Sequence, residues 1–241
     1  MQLSEASYER IIVVGDLHGH HAPLKRMLEK IDVRKDDLVI FLGDYIDRGP
    51  HSKELVQELI AFQRSHPPTV FLKGNHEDML LGSFGYDATV SDMNTWLYNG
   101  GWATLRSYGM EMGAVNRIMS LRSKPERRIA LSKLVPETHM DFFEHLDFFV
   151  ETEKFFFCHA GVDPSLSIEQ GKYNLHNLLW MREHLYADTL NWEKTVVCGH
   201  TPLRDILISE RLICIDTGLH YYGNLSAIDV KSMEIFQVAQ Q

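Results

Sequence analysis

The chain has 241 residues, 44% of them hydrophobic and 24% charged, and a formal net charge of −9. That length suits one large α/β domain, or a domain with an insertion, around a substantial core. The acidic balance leaves no basic footprint for nucleic acid, no stretch approaches the roughly 18 apolar residues of a membrane span, and residues 1 to 10 lack a signal-peptide profile, so the expected compartment is the cytoplasm.

The first apolar run, Arg10 to Val14, reads as a buried strand and leads directly into Gly15-Asp16-Leu17-His18-Gly19. His20 and His21 then start a surface helix, with Pro23 in its first turn and Leu24, Met27, Leu28 and Ile31 on one face. A second run, Asp37 to Leu42, delivers Gly43-Asp44-Tyr45-Ile46-Asp47-Arg48-Gly49, and Ser52 is the expected N-cap of a helix carrying Leu55, Val56, Leu59, Ile60 and Phe62. A third, Thr69 to Leu72, delivers Gly74-Asn75-His76-Glu77. This β-α-β-α-β order implies parallel, right-handed connections.

From about residue 84 to 147 the pattern turns helical, around Trp96, Leu97, Trp102 and Leu105, then Ile118, Met119 and Leu121, then Phe142, Phe143 and Leu146. It carries no ligand motif and reads as an insertion walling the site. Asn99-Gly100-Gly101 within it reads first as a turn. After Phe148 mostly strands are expected, with Lys154 to Cys158 ending in His159-Ala160-Gly161 and Thr195 to Cys198 ending in Gly199-His200-Thr201. Short connections at 151–154, 209–211 and 222–224 favour antiparallel pairing. Cys158, Cys198 and Cys214 lie in apolar runs, odd in number and without CxxC spacing, as reduced core thiols do. The expectation is a single α/β domain over residues 1 to 241, with two packed mixed β-sheets flanked by helices and a helical insertion at about 84–147.

Ligands of open α/β sheets gather beyond the carboxyl ends of the strands, so five strand ends bring Asp16, His18, Asp44, Asn75, His159 and His200 toward one point. Asp16, His18 and Asp44 suit one cation; Asp44, offering an oxygen to each side, bridges to a second completed by Asn75, His159 and His200. Mixed oxygen and nitrogen ligation without thiolate suits two divalent ions, manganese in the first place, with iron or zinc as alternatives. Such a pair lowers the pKa of a bridging water, which attacks in line as hydroxide while both ions clamp the substrate oxygens. His76, next to Asn75 and oriented by Asp47, is placed to protonate the leaving group, and Arg48 offers bidentate donors to phosphate oxygens. Glu77 is expected to fix the helix start, and Asp216 to play a structural hydrogen-bonding role. Tyr221 and Tyr222 are both candidates for the site mouth.

These motifs resemble those of the phosphoprotein phosphatase family of metallophosphoesterases over essentially the full chain, nearest the small bacterial and phage-type serine/threonine protein phosphatases. Supporting residues are Trp96-Leu97-Tyr98-Asn99-Gly100-Gly101, Leu179-Trp180-Met181-Arg182-Glu183, Cys198-Gly199-His200-Thr201-Pro202 and Ile215-Asp216-Thr217-Gly218 followed by Gly223-Asn224-Leu225. The resemblance implies a calcineurin-like fold, phosphoprotein or phosphopeptide substrates with some phosphotyrosine tolerance, and Arg182 as the second phosphate-binding arginine. It also implies a loop near the substrate at Asn99-Gly100-Gly101. His159-Ala160-Gly161 departs from the His-Gly-Gly of the eukaryotic enzymes, and their C-terminal Ser-Ala-Pro-Asn-Tyr element is absent, which favours the compact bacterial type. The alternative enzyme on this scaffold is a symmetrical diadenosine tetraphosphatase, in which Ala commonly replaces Asp47 and Asp replaces Glu77. A non-enzymatic metal-binding module is disfavoured by the intact ligand set.

Overall fold

A computed structural model describes residues 1–66 and 68–241. Two five-stranded sheets form its centre. In the first, β1 (Ile11–Val14), β2 (Leu38–Phe41) and β3 (Thr69–Phe71) run parallel, and β9 (Asn224–Asp229) and β10 (Glu234–Ala239) add antiparallel on the other side of β1, in the order β10-β9-β1-β2-β3. The second is ordered β4-β5-β6-β8-β7, from β4 (Phe149–Glu151), β5 (Phe155–Cys158), β6 (Thr195–Cys198), β7 (Leu207–Ile208) and β8 (Leu212–Cys214). Both sheets are mixed, because β5, β6 and β8 are parallel while β4 and β7 are antiparallel edges.

The alternation of side chains along each strand separates the layers. Ile11 and Val13 of β1 face Phe157, Val197 and Ile213 of the second sheet in one buried cluster, whereas Ile12 and Val14 face helices on the opposite side. Phe156, Val196 and Leu212 point outward from the second sheet to Ile168, Leu178 and Trp192. Strands buried on both faces read as unbroken apolar runs, which is why these are recognisable in the sequence. Helices α1 (His21–Ile31) and α2 (Ser52–Ser65) connect the parallel strands, and α3 (Asn75–Ser83) follows β3 with every residue buried. Short helices from Met93–Trp96 to Glu137–Glu144 come next, and their Trp96, Leu105 and Phe143 share one core with Phe41 and Leu55. Among the described residues no helix is long and apolar enough to cross a membrane.

Three local expectations are corrected. Ser52 is not the N-cap of α2: His51 holds that position, and the buried Ser52 hydroxyl accepts the Asp47 N–H at 3.2 Å and pairs with Thr104 at 3.2 Å. His20 is not on the surface but 7% exposed, paired through Nε2 with His220 Nδ1 at 3.3 Å, because the C-terminal part of the chain folds over it. The turn at 222–224 joins no hairpin; a helix at Leu219–Tyr222 carries the chain from β8 in one sheet to β9 in the other. Helices at Ile168–Gly171 and Leu175–Trp180 also interrupt the strand-rich half, each too short to show a helical period.

Candidate metal and phosphate site

The segments following β1, β2, β3, β5 and β6 converge at one end of the two sheets. The chain must bend sharply where they meet: His18, Asp44, Asp47, Arg48 and His200 all have positive φ, between 43° and 72°, and make up five of the seven non-glycine residues in that region among those described. Left-handed backbone in such residues is costly and persists where surrounding structure over-determines it. Close approach is equally tight. A Cβ on Gly74 would lie 2.2 Å from Asp44 Oδ1, and one on Gly199 would lie 2.2 Å from Asp16 Oδ1.

Asp44 is at the centre, 2% exposed. Its Oδ2 lies 3.5 Å from His18 Nε2 and 3.8 Å from His76 Nε2, while Oδ1 lies 3.4 Å from His159 Nε2 and accepts the His76 backbone N–H at 3.1 Å. The two carboxylate oxygens therefore serve two halves of the cluster. On the second half, His159 Nε2 and His200 Nδ1 each lie 2.9 Å from Asn75 Oδ1 and 3.2 Å from one another. Asp16 accepts the His200 N–H at 3.1 Å.

Protonation states sharpen this picture. His18 donates Nδ1–H to Ile46 O at 3.1 Å and His159 donates Nδ1–H to Leu42 O at 2.8 Å, so in each the Nε2 lone pair faces the cluster. Burial pushes the pKa of His18 and His200 well down, and that of His159 down despite the pull of Asp44. Burial raises Asp16 strongly, reinforced by Asp216 and Asp44, and lifts Asp216 to about 6. Asp44 goes the other way, because the surrounding histidines outweigh its burial. The Asp44 carboxylate, the Asn75 carbonyl and the ring nitrogens of His18, His159 and His200 thus face one another across a buried space, with His76 Nε2 left unpartnered beside them, an electron-rich set of donor atoms. Divalent cations satisfy such a set. Two triads have their donor atoms within 4.8 Å of one another here, His18 with Asp44 and His76, and Asp44 with His159 and His200.

His76 is held differently from the other histidines. Its Nδ1–H donates to Asp47 Oδ2 at 2.6 Å, leaving Nε2 buried without a partner. Burial opposes charging of His76, but Asp44 and Asp47 together outweigh it and raise the pKa. Asp47 is in turn fixed by Trp96 Nε1–H at 2.8 Å and the Thr104 hydroxyl at 2.5 Å. Sequence reasoning takes Trp96 as a core and motif residue without this role and passes over Thr104, although the two bracket the Asn99-Gly100-Gly101 motif that it singles out. That loop supports Arg48: Gly100 O accepts the Arg48 N–H at 3.2 Å, and a Cβ at Gly100 (φ 112°) would meet Arg48 Cγ. Glu77 fixes the helix start and more, accepting backbone N–H groups of Gly74, Asp44, Tyr45 and Ile46 at 2.8–3.2 Å.

The arginines lie one beside each half. The Arg48 guanidinium leans on His18 Nε2 and stacks over Tyr221, 5.2 Å from the ring centroid, which selects Tyr221 over Tyr222 as its neighbour. Arg182 is exposed and donates to the Thr201 hydroxyl at 2.9 Å, next in sequence to His200. Asp216 accepts the Gly218 N–H at 2.8 Å.

Comparison with known proteins agrees with this geometry. The profile of the calcineurin-like phosphoesterase family matches residues 9–230. Serine/threonine-protein phosphatase 1 of Salmonella typhimurium is 30% identical over 230 residues, spanning 93% of this chain and 94% of that protein. Serine/threonine-protein phosphatase 2 of the same organism is 28% identical over 233 residues with the same coverage. Among solved structures, one described as a diadenosine tetraphosphatase superposes with a TM-score of 0.68 at 19% identity, covering 99% of this chain and 96% of that one. A protein serine/threonine phosphatase from Saccharomyces cerevisiae does so with a TM-score of 0.62 at 14% identity, covering 99% and 82%. At those identities the structures speak to the fold, two mixed sheets flanked by helices. The family match over nearly the whole chain adds what the site geometry required: the chain belongs to the calcineurin-like phosphoesterase family and is a metal-dependent phosphoesterase.

Proposed function

We propose that this protein is a serine/threonine phosphoprotein phosphatase, with tolerance for phosphotyrosine, that works with two divalent cations. Asp16, His18 and Asp44 would hold one, and Asp44, Asn75, His159 and His200 the other. When bound, these ions supply Lewis acidity toward the phosphoryl oxygens and a water activated for in-line attack. Manganese is the first candidate, with iron or zinc as alternatives, because the donors are oxygen and imidazole without thiolate.

The single observation that carries the reading is the set of proton-donating and anion-binding groups around Asp44. An arginine beside each half of the cluster, Arg48 at His18 and Arg182 at Thr201, offers guanidinium donors to the non-bridging oxygens of a terminal phosphoryl group. His76 carries a proton on Nδ1 toward Asp47, and its raised pKa lets Nε2 hold a second one to give to the departing alkoxide. A phosphomonoester dianion uses all of these groups. A dinucleoside tetraphosphate has no terminal phosphoryl group and needs a nucleoside subsite, for which the chain has no recognisable motif.

The test is a direct competition of substrates. Phosphoserine and phosphothreonine peptides are expected to have clearly higher kcat/KM than diadenosine tetraphosphate. Arg182→Ala should lower kcat/KM on the peptides by about tenfold, the size of one lost charge-assisted hydrogen bond at an exposed site. Cleavage of the dinucleotide at least tenfold more efficiently than every peptide would promote the tetraphosphatase reading, which the 0.68 TM-score neighbour shares in fold.

Trp96 provides a subtler expectation. Trp96→Phe keeps the buried ring contact but removes the Nε1–H that Asp47 Oδ2 accepts. With one donor fewer, Asp47 holds His76 less firmly, so kcat on alkyl phosphoesters should fall by about tenfold with metal content unchanged, in line with about 1.5 kcal/mol for a hydrogen bond to a charged group. Unchanged kcat on alkyl esters would show that Trp96 serves packing alone.

A further inference from the structure

On the outer face of the second sheet, away from the first sheet, three buried side chains converge that the phosphoesterase reaction does not use. Cys198 ends β6 and is paired in register with Cys214, which ends β8. Their Sγ atoms are 3.3 Å apart. His184, in the 3-10 turn Glu183–Tyr186, brings Nε2 to 3.7 Å from Cys198 Sγ, and the donor atoms of all three residues lie within 4.8 Å of one another. Exposure is 0% for Cys198, 1% for Cys214 and 3% for His184. His184 Nδ1 has no partner, and the ring is pressed against Gly161, where a Cβ would come within 2.8 Å of its Cε1. Among the described residues the Cys198 thiol is the one hydrogen-bond partner of this buried imidazole, a poor use of a polar ring in an apolar layer.

We propose that His184, Cys198 and Cys214 form a second, structural metal site for a soft-to-borderline divalent cation, zinc in the first instance. Ligands about 2.3 Å (sulfur) and about 2.1 Å (nitrogen) from one tetrahedral zinc stand roughly 3.6–3.8 Å from each other; Cys198 Sγ and His184 Nε2 already have that spacing, and the two Sγ atoms, 3.3 Å apart, would separate by about half an ångström on loading. Loading releases the two thiol protons to solvent, and the resulting thiolates cancel the charge of a divalent ion. A neutral complex is the one a water-free layer tolerates, whereas a monovalent ion would leave a buried negative charge. The donor type separates this site from the oxygen- and nitrogen-rich cluster around Asp44. Its effect would be to pin the ends of β6 and β8 together, just before the Gly199–His200 bend.

Cadmium is the probe, because only thiolate ligation gives a sulfur-to-cadmium charge-transfer band in the ultraviolet, and the Asp44 cluster contains no sulfur. The full chain expressed with cadmium in the medium should show this band at one thiolate-bound equivalent. Cys214→Ala should abolish it while keeping the manganese bound elsewhere, and His184→Gln should weaken it. Wild-type protein without the band overturns the proposal even if neither variant folds. So does a Cys198–Cys214 disulfide in the purified chain, read as the loss of two hydrogens by mass.

Discussion

Asp44→Asn is expected to lose binuclear metal and nearly all turnover, with kcat falling by at least about 10³-fold, the upper end of what losing one preorganised transition-state contact costs. The reason is that Asp44 is used twice. Oδ2 faces His18 and His76, and Oδ1 faces His159, so no other side chain in the cluster touches both halves. An amide in its place removes one negative charge and turns one of the two acceptors into an N–H₂ donor, which pairs with an imidazole lone pair instead of leaving it to a cation. Elemental analysis should find fewer than two divalent ions per chain. Manganese should raise the Tm of the chelated wild-type protein by mass action and leave that of the variant nearly unmoved. Reversible loss of wild-type activity on chelation belongs to the same expectation. Full activity in chelated protein with no detectable metal would sink the two-metal reading.

His76→Asn is expected to cost about 10²- to 10⁴-fold in kcat on phosphoserine peptides while both metals stay bound, the usual range for a positioned general acid. Its Nδ1–H is committed to Asp47 at 2.6 Å, and Asp47 is itself clamped by Trp96 and Thr104, so the ring can present only Nε2 to a substrate. The loss should shrink for nitrophenyl phosphate, whose leaving group scarcely needs a proton. Equal losses on alkyl and nitrophenyl esters, with chemistry rate-limiting for both, would remove His76 from the acid role. Because its Nε2 also lies within 4.8 Å of the His18 and Asp44 donors, the metal content of the variant decides between acid and ligand. A missing ion would make it a ligand.

How much was legible in the sequence depends on the range over which each feature is encoded. The strands leading to Asp16, Asp44, Asn75, His159 and His200 are short apolar runs broken by glycine-containing polar turns, and burial on both faces makes such runs readable without any partner in view. Two-sheet architecture and the gathering of those residues at one end follow from that pattern and the resemblance. Where the pattern was too brief or the partner too distant, the reading failed. The four-residue helix Leu219–Tyr222 has no period to detect, and the turn signal there predicts a hairpin instead. His20 looked like a surface residue because its neighbour His220 lies 200 positions away.

By itself, then, the sequence determined the alternation of strands and helices up to β3, the residue types that can hold cations, Arg48 as a phosphate-binding residue, and the strand ends that present them, since all of these reside in local period and turn chemistry, whereas Arg182 came from the resemblance alone. Only the tertiary structure decided which atoms face which: that Asp44 divides its oxygens between two halves, that Arg48 lies over Tyr221 and not Tyr222, and that Asp47 is held by Trp96 and Thr104 from 49 and 57 residues away. Those pairings arise from the packing of the helical segment against the sheet, and a buried carboxylate accepts donors wherever the chain brings them, which no local spacing records.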